Sequence, residues 1–417
     1  MNKESLKKGF LILSWGLYDL ANQFFALNIV SLYFVRWLTM EKSAPEIFYS
    51  IAFGISTLFV ALSAPVLGAI SDLINRRRPF LVYLTLISIL FTMILGASDS
   101  IFVGLLFFIV ANYGCQTAIV FYNALMLNIA PKNKIGLVSG IGKMLGYTGA
   151  ILALYLLKPI VLKNGYRATF LPTGILFFIF SLPCLIFIKD KNPSRGKIDL
   201  LSYFRKNKIV EIFNSLKSTA FDSREFPGFL DFLKSSFFGL CSVNAIILFM
   251  SVYATRAFGL SEVQIINLIT FSTFFAILGS ILSGVISDRV GARASLIVIY
   301  ILWIVTLMFG ALVKSTGLYW LVGSLVGMIL GGTWVVSRAL AIQLIPAQRI
   351  GEAFGLFNLV GYISAIVGSL FWGLIILVLS SYGALGYRAA LLSLNLFLVL
   401  GVIFLLRVPT KTPAKNF

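Results

Sequence analysis

The chain has 417 residues, of which 59% are hydrophobic and 12% are charged, and it carries a formal net charge of +19. Because soluble domains contain about 25% charged residues, this composition excludes a soluble globular protein and predicts an integral membrane protein. Histidine is absent, which excludes histidine catalysis, histidine metal ligands and histidine proton relays.

Twelve runs along the chain are apolar enough to cross a membrane as helices, which takes about 20 residues each. A more hydrophilic segment, residues 189–228, separates the sixth run from the seventh. The sequence therefore predicts an all-α membrane protein with two six-helix bundles, 1–188 and 229–417, and a linker between them. The predicted spans are about 10–35, 46–71, 79–97, 101–129, 137–158, 168–188, 229–256, 262–287, 294–313, 317–345, 352–380 and 386–406.

The distribution of lysine and arginine predicts the orientation of these spans. If both termini share one side, that side and the linker hold 23 of the 34 lysines and arginines, whereas the opposite loops hold eight. Basic loops are retained in the cytoplasm, so both termini and the linker are predicted to be cytoplasmic, in a multi-pass protein of the inner membrane. The first span is too long for a cleavable signal, and the dispersed cations predict no nucleic-acid partner.

The linker contains an amphipathic segment, residues 198–217, whose apolar residues fall near one helical face. This pattern predicts a surface helix in contact with anionic lipid, and the alternative is a connector helix without that role. The three cysteines, Cys115, Cys184 and Cys241, lie in apolar runs without metal-ligand spacing. We interpret them as packing residues and predict no metal site and no cofactor.

The chain contains an internal duplication, because motifs of the first half recur in the second at a nearly constant distance. Each half has an even number of spans, so the two halves are predicted to be parallel repeats. The recurrences are GAISDLINRRR (68–78) with GVISDRVGAR (284–293), 216 positions later, ALMLNIAPKNKIG (124–136) with ALAIQLIPAQRIG (339–351), 215 positions later, and GYRATFL (165–171) with GYRAALL (386–392), 221 positions later.

The parallel repeats and both loop motifs resemble the major facilitator superfamily, whose cytoplasmic loop signature has a glycine, an aspartate four residues later, and then basic residues. SWGLYDLANQFF (14–25), GLVSGIGKMLGYTGA (136–150) and GYRATF (165–170) are similar to its vacuole-effluxer-like branch, which includes amino-acid exporters of the yeast vacuole. Gln23 departs from that branch, where a small residue is expected. The resemblance implies the major facilitator fold and secondary transport by alternating access.

The loop signature places one aspartate at the end of a span in each half, Asp72 after span 2 and Asp288 after span 8. We expect each carboxylate to accept hydrogen bonds from a neighbouring helix amino terminus or to pair with arginine, which favours one closed arrangement. The alternative is that the basic residues only fix the topology. Asn75 and Gly291 occupy equivalent positions, and both residue types tolerate a left-handed backbone. The remaining signature residues are Gly68, Arg76, Arg77, Gly284, Arg289 and Arg293.

Span 5 contains glycines in two pairs spaced by four, Gly136 with Gly140 and Gly142 with Gly146. This spacing lets helices approach closely, so we interpret these glycines as packing residues. A nucleotide-binding loop is excluded because the preceding strand and the GK[ST] ending are both missing.

The resemblance implies that spans 1, 4, 7 and 10 line the substrate path, and polar residues concentrate in these spans. Lys143 in span 5 lies at a similar depth to the acidic residue of span 1. The predicted cavity or gate residues are Tyr18, Asp19, Asn22, Gln23, Asn112, Gln116, Asn123, Lys143, Asn244, Trp334, Ser337 and Arg338.

Asp19 is the only acidic residue well inside a predicted span, roughly 13 Å from the cytoplasmic side at 1.5 Å per residue. Arg338 lies at roughly the same depth, about 12 Å. Three interpretations remain open: the two residues bind the ends of a zwitterion, they form an ion pair that closes the cytoplasmic gate, or Asp19 makes a static bridge with Lys143 or Arg338. If transport is driven by protons, Asp19 is the first candidate carrier.

We therefore expect a monomeric secondary transporter for a small organic solute, an amino acid being favoured by the resemblance, with protons as a possible coupling ion. The alternatives are a lipid or drug exporter on the same fold and a non-transporting membrane sensor. An enzyme is not expected, since the spans contain no nucleophile with a base and no metal cluster.

Overall fold

A computed structural model describes residues 3–191, 206–222 and 225–410, and the regular secondary structure within these ranges is helical. The helices that correspond to the twelve predicted spans are α1 (Lys3–Phe25), α2 (Glu46–Leu73), α3 (Arg78–Ile94), α4 (Ile101–Leu125), α5 (Ile135–Asn164), α6 (Phe170–Phe187), α7 (Phe229–Phe258), α8 (Glu262–Val290), α9 (Ala292–Leu312), α10 (Thr316–Leu344), α11 (Ile350–Val378) and α12 (Ala384–Arg407).

Within the described residues, eleven helical segments are long and apolar enough to cross a membrane. The third predicted span forms a shorter apolar helix, α3, of 17 residues. A further helix, Lys206–Phe221, lies in the linker; we call it the linker helix. The first part of the predicted surface helix, residues 198–205, falls outside the described residues.

The ends of the helical region depart from the predicted spans. After α1 the chain continues as π-helical turns at Ala26–Leu32 and Trp37–Glu41, so the first apolar segment extends to Glu41 rather than to residue 35. α12 is interrupted at Leu394, which separates Ala384–Ser393 from Asn395–Arg407. Hydrophobicity predicts neither feature, because a wide turn or a break leaves the apolar composition unchanged.

The chain divides into two compact units by its internal contacts. Each unit combines most of one half with a short segment of the other. Unit 1 contains the beginning of α11, and unit 2 contains the beginning of α5. The ranges are Met1–Lys132, Ile141–Leu216 and Ala347–Gly355 for unit 1, and Asn133–Gly140, Lys217–Pro346 and Leu356–Phe417 for unit 2.

The core of unit 1 contains stacked aromatic side chains from α4, α6 and the segment after α1. Phe34 stacks on Phe108 with ring centroids 4.8 Å apart, and Trp37 meets Phe170 edge to face at 5.9 Å. All four side chains are buried. Aromatic pairs of this kind contribute about 0.5–1.5 kcal/mol each beyond the area that they bury.

Unit 2 is packed most closely where α8 and α10 cross. A Cβ added at Gly327 of α10 would overlap the Ser272 carbonyl of α8, and one at Gly279 would overlap the Met328 carbonyl. The glycines therefore allow backbone-to-backbone contact, which is the role that small residues have between membrane helices.

We expect Gly327→Val to lower the stability of the folded protein by about 2–3 kcal/mol, because the added side chain overpacks this crossing. Gly373→Ala is the matched control, since nothing lies within 4 Å of a Cβ at that helical position. The control is expected to be neutral or to stabilise by up to about 1 kcal/mol through helix propensity. Thermal unfolding in detergent measures both, and equal melting temperatures for Gly327→Val and the parent would contradict the contact.

The repeated GYRA motif has the same structural role in each half. Arg167 donates from Nε to the Gly96 carbonyl at 2.7 Å, just after α3, and Arg388 donates to the Ala311 carbonyl at the end of α9 at 2.5 Å. Cationic side chains stabilise helix carboxyl termini by binding carbonyls that lack an intrahelical partner. The equivalent contacts in the two halves support the predicted duplication at the level of individual side chains.

Candidate functional site

Asp19 lies on α1 with its side chain only 6% exposed, and it faces both α4 and α5. Lys143 of α5 is its ion-pair partner, with Nζ 3.5 Å from Oδ1. Tyr122 of α4 donates its hydroxyl to Oδ2 at 3.2 Å. A buried carboxylate is retained in a membrane helix when a cation and hydrogen-bond donors offset its desolvation, and this arrangement supplies both.

An aromatic wall formed by Trp15, Tyr18 and Tyr122 encloses one side of this carboxylate. Tyr122 stacks on Trp15 with centroids 4.5 Å apart and on Tyr18 at 4.8 Å. Trp15 also donates from Nε1 to the Tyr122 carbonyl at 3.0 Å, which holds α1 against α4. Trp15 and Tyr122 were not among the predicted site residues, because an aromatic residue in an apolar helix resembles any other core residue.

Two of the predicted packing glycines bring α5 close enough to α1 for the ion pair to form. A Cβ at Gly142 would lie 2.6 Å from the Trp15 ring and 3.2 Å from Oδ2 of Asp19, and a Cβ at Gly146 would lie 3.5 Å from the Asp19 Cβ. The spacing of four places both glycines on the face of α5 that meets α1. Their packing role, predicted from the sequence, is confirmed at this contact.

The polar residues further along α1 and α4 form a second cluster in unit 1. Asn22 accepts from the Cys115 thiol at 3.1 Å, and Asn112 donates to the Ser56 hydroxyl at 2.7 Å. The side-chain carbonyl of Asn112 is buried and has no hydrogen-bond partner among the described residues. The polar residues predicted in spans 1 and 4 thus place polar groups in the interior of unit 1.

Four other predicted residues of unit 1 differ in their surroundings. Tyr18 is fully buried, with its hydroxyl 2.6 Å from that of Thr85 on α3. Gln23 and Gln116 are half-buried, and Asn123 is buried with its carbonyl oxygen lacking a partner in the described part of the chain.

The predicted site residues of the second half belong to unit 2. Asn244 of α7 donates to the Ser364 hydroxyl of α11 at 3.2 Å. On α10, Arg338 and Ser337 are buried and Trp334 is half-buried. Trp334 and Arg338 are four residues apart, so they share one face of α10.

The first copy of the loop signature binds the beginning of α11 within unit 1. Asp72 pairs with Arg77 at 2.8 Å and accepts the Glu352 backbone N–H at 3.0 Å. Arg77 also donates to the Ala347 carbonyl. Asp72 therefore combines the two roles that the sequence offered as options, a helix amino-terminal contact and an arginine pair.

The second copy repeats this contact in unit 2. Asp288 accepts the backbone N–H groups of Gly136 at 2.7 Å and Leu137 at 2.8 Å, both at the beginning of α5. Arg293, which corresponds to Arg77, instead donates to the Leu405 and Leu406 carbonyls at the end of α12. We call these two arrangements the Asp72 clamp and the Asp288 clamp.

Glycine pairs allow the backbones to meet at both clamps. A Cβ at Gly136 would lie 2.5 Å from the Gly284 carbonyl oxygen, and a Cβ at Gly351 would lie 2.7 Å from that of Gly68. The turn after each aspartate is left-handed at equivalent positions, with φ of 50° at Asn75 and 98° at Gly291. Of the remaining signature residues, Arg289 is exposed and Arg76 is half-buried.

Beside the Asp72 clamp, the linker helix contacts α11, and the sequence did not predict this contact. Glu352 is buried and accepts the hydroxyl of Ser215, from the linker helix, at 2.7 Å. Arg349 donates to the same hydroxyl at 3.3 Å and lies 3.9 Å from the Glu352 carboxylate. No pattern links positions so distant in the chain, so only the folded structure reveals that the linker helix contacts α11.

Comparisons with known proteins agree with this architecture. The profile of the family described as "Vacuole effluxer Atg22 like" matches residues 128–416, and that of the "Major Facilitator Superfamily" matches residues 19–221. The uncharacterized MFS-type transporter YxiO of Bacillus subtilis (strain 168) is 25% identical over 96% of this chain and 95% of its own. Autophagy-related protein 22 of Kluyveromyces lactis is 23% identical over 82% of this chain and 75% of its own.

Among solved structures, the E. coli fucose:proton symporter FucP superposes with a TM-score of 0.72. It is 14% identical to this chain, and the match covers 97% of this chain and 99% of the symporter. At that identity the likeness establishes the fold alone, which is the all-α major facilitator fold. The chain belongs to the vacuole effluxer Atg22-like family, and it is an integral membrane transporter of the major facilitator superfamily rather than an enzyme.

Proposed function

We propose that the chain moves amino acids across the cytoplasmic membrane by alternating access, with both termini in the cytoplasm. The ion pair between buried Asp19 and half-buried Lys143 is the observation that carries this proposal. An amino acid presents one ammonium and one carboxylate, and the pair offers one partner of opposite sign for each. The description of the family as vacuole effluxers supports export as the direction of transport.

The aromatic wall adds a reason to expect an amine at Asp19. A substrate ammonium that displaces Lys143 would meet the carboxylate beside the Tyr122 hydroxyl, which donates to Oδ2 and whose oxygen can accept a hydrogen bond from the ammonium. Lys143 would then be available to the substrate carboxylate. The pair thus exchanges one internal salt bridge for two with the substrate, so little charge is left buried without a partner.

Asp19 is also our candidate proton carrier. Loss of the contact to Lys143 would leave a buried carboxylate without its cation, and protonation would neutralise that charge. The likeness to a fucose:proton symporter supports proton coupling as a working hypothesis. The two clamps would hold the beginnings of α5 and α11 in the state described here and release them in the opposite state.

A thermal-shift screen of the purified protein with amino acids, peptides, sugars and lysolipids tests the substrate class. We expect an amino acid to raise the melting temperature of the parent and to have no effect on Asp19→Ala or Lys143→Met. Lys158→Met is the matched control, because it removes an exposed lysine from the same helix. A stabilising amino acid that acts equally on all variants would mean that the pair is a static bridge, and a hit only among lysolipids would favour a lipid exporter.

A further inference from the structure

An open cavity of about 430 Å³ lies in unit 1, between the beginning of α1 and the residues that follow α4 and α6. Among the described residues, every charged side chain that lines it is a lysine: Lys7 and Lys8 from α1 and Lys191 from the segment after α6. All three lysines are exposed. The remaining lining residues are Leu11, Asn128, Ile129, Ala130 and Pro131.

A hydrogen bond between the segments that follow α4 and α6 maintains the shape of this cavity. Asn128 donates from its side-chain amide to the Lys189 carbonyl at 2.9 Å. That hydrogen bond holds the segment containing Lys191 beside the end of α4 and opposite the lysines of α1. The cationic lining therefore comes from two separate parts of the chain, α1 and the segment after α6, that the fold brings together.

The corresponding cavity of the second half has a different lining among the described residues. The position equivalent to Asn128, 215 residues later, is Gln343, and it lines a smaller cavity of about 140 Å³. The charged side chain lining that cavity in the described structure, Arg293, donates to the carbonyls at the end of α12. Among the described residues, the cavity at Gln343 thus lacks the lysine lining of the cavity at Asn128.

An apolar surface adjoins the cavity along α1. Leu6, Phe10 and Leu13 are 51%, 48% and 48% exposed, and their spacing places them on one face of the helix. Phe10 packs edge to face on Phe187 of α6, with centroids 4.9 Å apart, so the surface continues onto α6. A ligand that fills the cavity and covers this surface needs an anionic head and an apolar tail.

We propose that this cavity binds the phosphate head group of an anionic phospholipid, with an acyl chain along Leu6, Phe10 and Phe187. The lysine and arginine bias predicts that the cavity faces the cytoplasmic leaflet, where a negative surface potential attracts basic groups. Each lysine near such a surface contributes about a fivefold factor in binding. Three such factors multiply to about a hundredfold, so even partial contact with the head group selects phosphatidylglycerol over phosphatidylcholine by at least about tenfold.

Native mass spectrometry of the delipidated full-length protein, with phosphatidylglycerol or phosphatidylcholine added back, tests this site. The variant K7Q/K8Q/K191Q is expected to lose most of the tenfold preference for phosphatidylglycerol. The matched control K134Q/K158Q/K314Q removes three exposed lysines outside the cavity and is expected to keep the preference. Equal losses in both variants, or no preference in the parent, would overturn the proposal. Equal melting temperatures for the two variants exclude misfolding as the cause.

A second arm separates a lipid from a soluble phosphate as the ligand. Inorganic phosphate or glycerol 3-phosphate at millimolar concentration should leave phosphatidylglycerol bound, because neither covers the apolar surface. Phe10→Asn is expected to weaken phosphatidylglycerol binding while the cavity lysines remain. Displacement by inorganic phosphate, together with unchanged lipid binding in Phe10→Asn, would mean that the cavity binds phosphate alone and would overturn the assignment to a lipid.

Discussion

Asp19→Asn is expected to abolish concentrative transport while substrate exchange or binding stays measurable. An amide cannot take up and release a proton, so the accumulation of substrate against its gradient should fall to the equilibrium ratio. Exchange needs only that the loaded protein changes state, and the aromatic wall and Lys143 are still present for the substrate. The measurement is uptake of the identified amino acid into reconstituted vesicles, with and without a pH gradient.

The control for this experiment is Asp231→Asn, which removes a half-buried carboxylate at the beginning of α7 instead. It should retain pH-driven accumulation. If uptake by Asp19→Asn keeps the pH dependence of the parent, Asp19 is not the proton carrier.

Stability measurements on the same variants separate a binding role from a purely static bridge. Removing one partner of a buried ion pair lowers the free energy of unfolding by about 3–5 kcal/mol. For Asp19→Asn we expect a smaller loss of stability, about 2–3 kcal/mol, since the Lys143 side chain is 20% exposed. The double variant Asp19→Asn/Lys143→Met should recover part of this loss, because no charge is then left without its partner. Recovered stability without recovered transport would favour the binding role.

The largest conformational effect is expected from Asp72→Asn combined with Asp288→Asn. Each clamp carboxylate accepts charge-assisted hydrogen bonds, which contribute about 1.5–3 kcal/mol each. Removing one carboxylate should therefore shift the equilibrium away from the clamped state by at least about tenfold, since 1.4 kcal/mol is a factor of ten. Asp72→Asn should have the larger single effect, because it also leaves the buried Arg77 without its carboxylate.

Maleimide labelling of a Ser139→Cys reporter measures this shift. Ser139 is fully buried on α5, three residues beyond the glycine that donates to Asp288, and the native cysteines are buried as well. The double variant should label at least about ten times faster than the reporter parent, in line with the shift expected above. Unchanged labelling would favour the alternative in which the loop signature only fixes the topology.

Asp99→Asn is the matched control for the clamp experiment. Asp99 lies in the loop between α3 and α4, where it binds Lys42 at 2.9 Å and Arg167 at 2.6 Å. The hydrogen bond from Lys42 and the nearby Arg167 lower the pKa of the Asp99 carboxyl, so it is ionised under the assay conditions. Its loss removes two ion pairs without touching either clamp, and labelling of the reporter should not change.

The sequence by itself determined the class of protein, its helical spans and its duplication. Long apolar runs, basic loops and repeated motifs are properties of neighbouring residues, so they are visible without a structure. The contacts of the loop aspartates could also be predicted from the sequence, because a carboxylate at a helix end in each half needs donors, and a helix amino terminus supplies them. The two options predicted for Asp72 are both present, since it binds Arg77 and the Glu352 N–H together.

Only the tertiary structure decided how the candidate site is assembled. From depth along the helices, Lys143 and Arg338 were equally good candidates for the ion-pair partner of Asp19. The structure shows an ion pair with Lys143, because α5 comes close to α1 at Gly142 and Gly146. Tyr122 and the contact of Ser215 with Glu352 were likewise invisible in the sequence. These features depend on the distance between residues far apart in the chain, and that distance is set by how closely helix backbones pack rather than by the composition of any one helix.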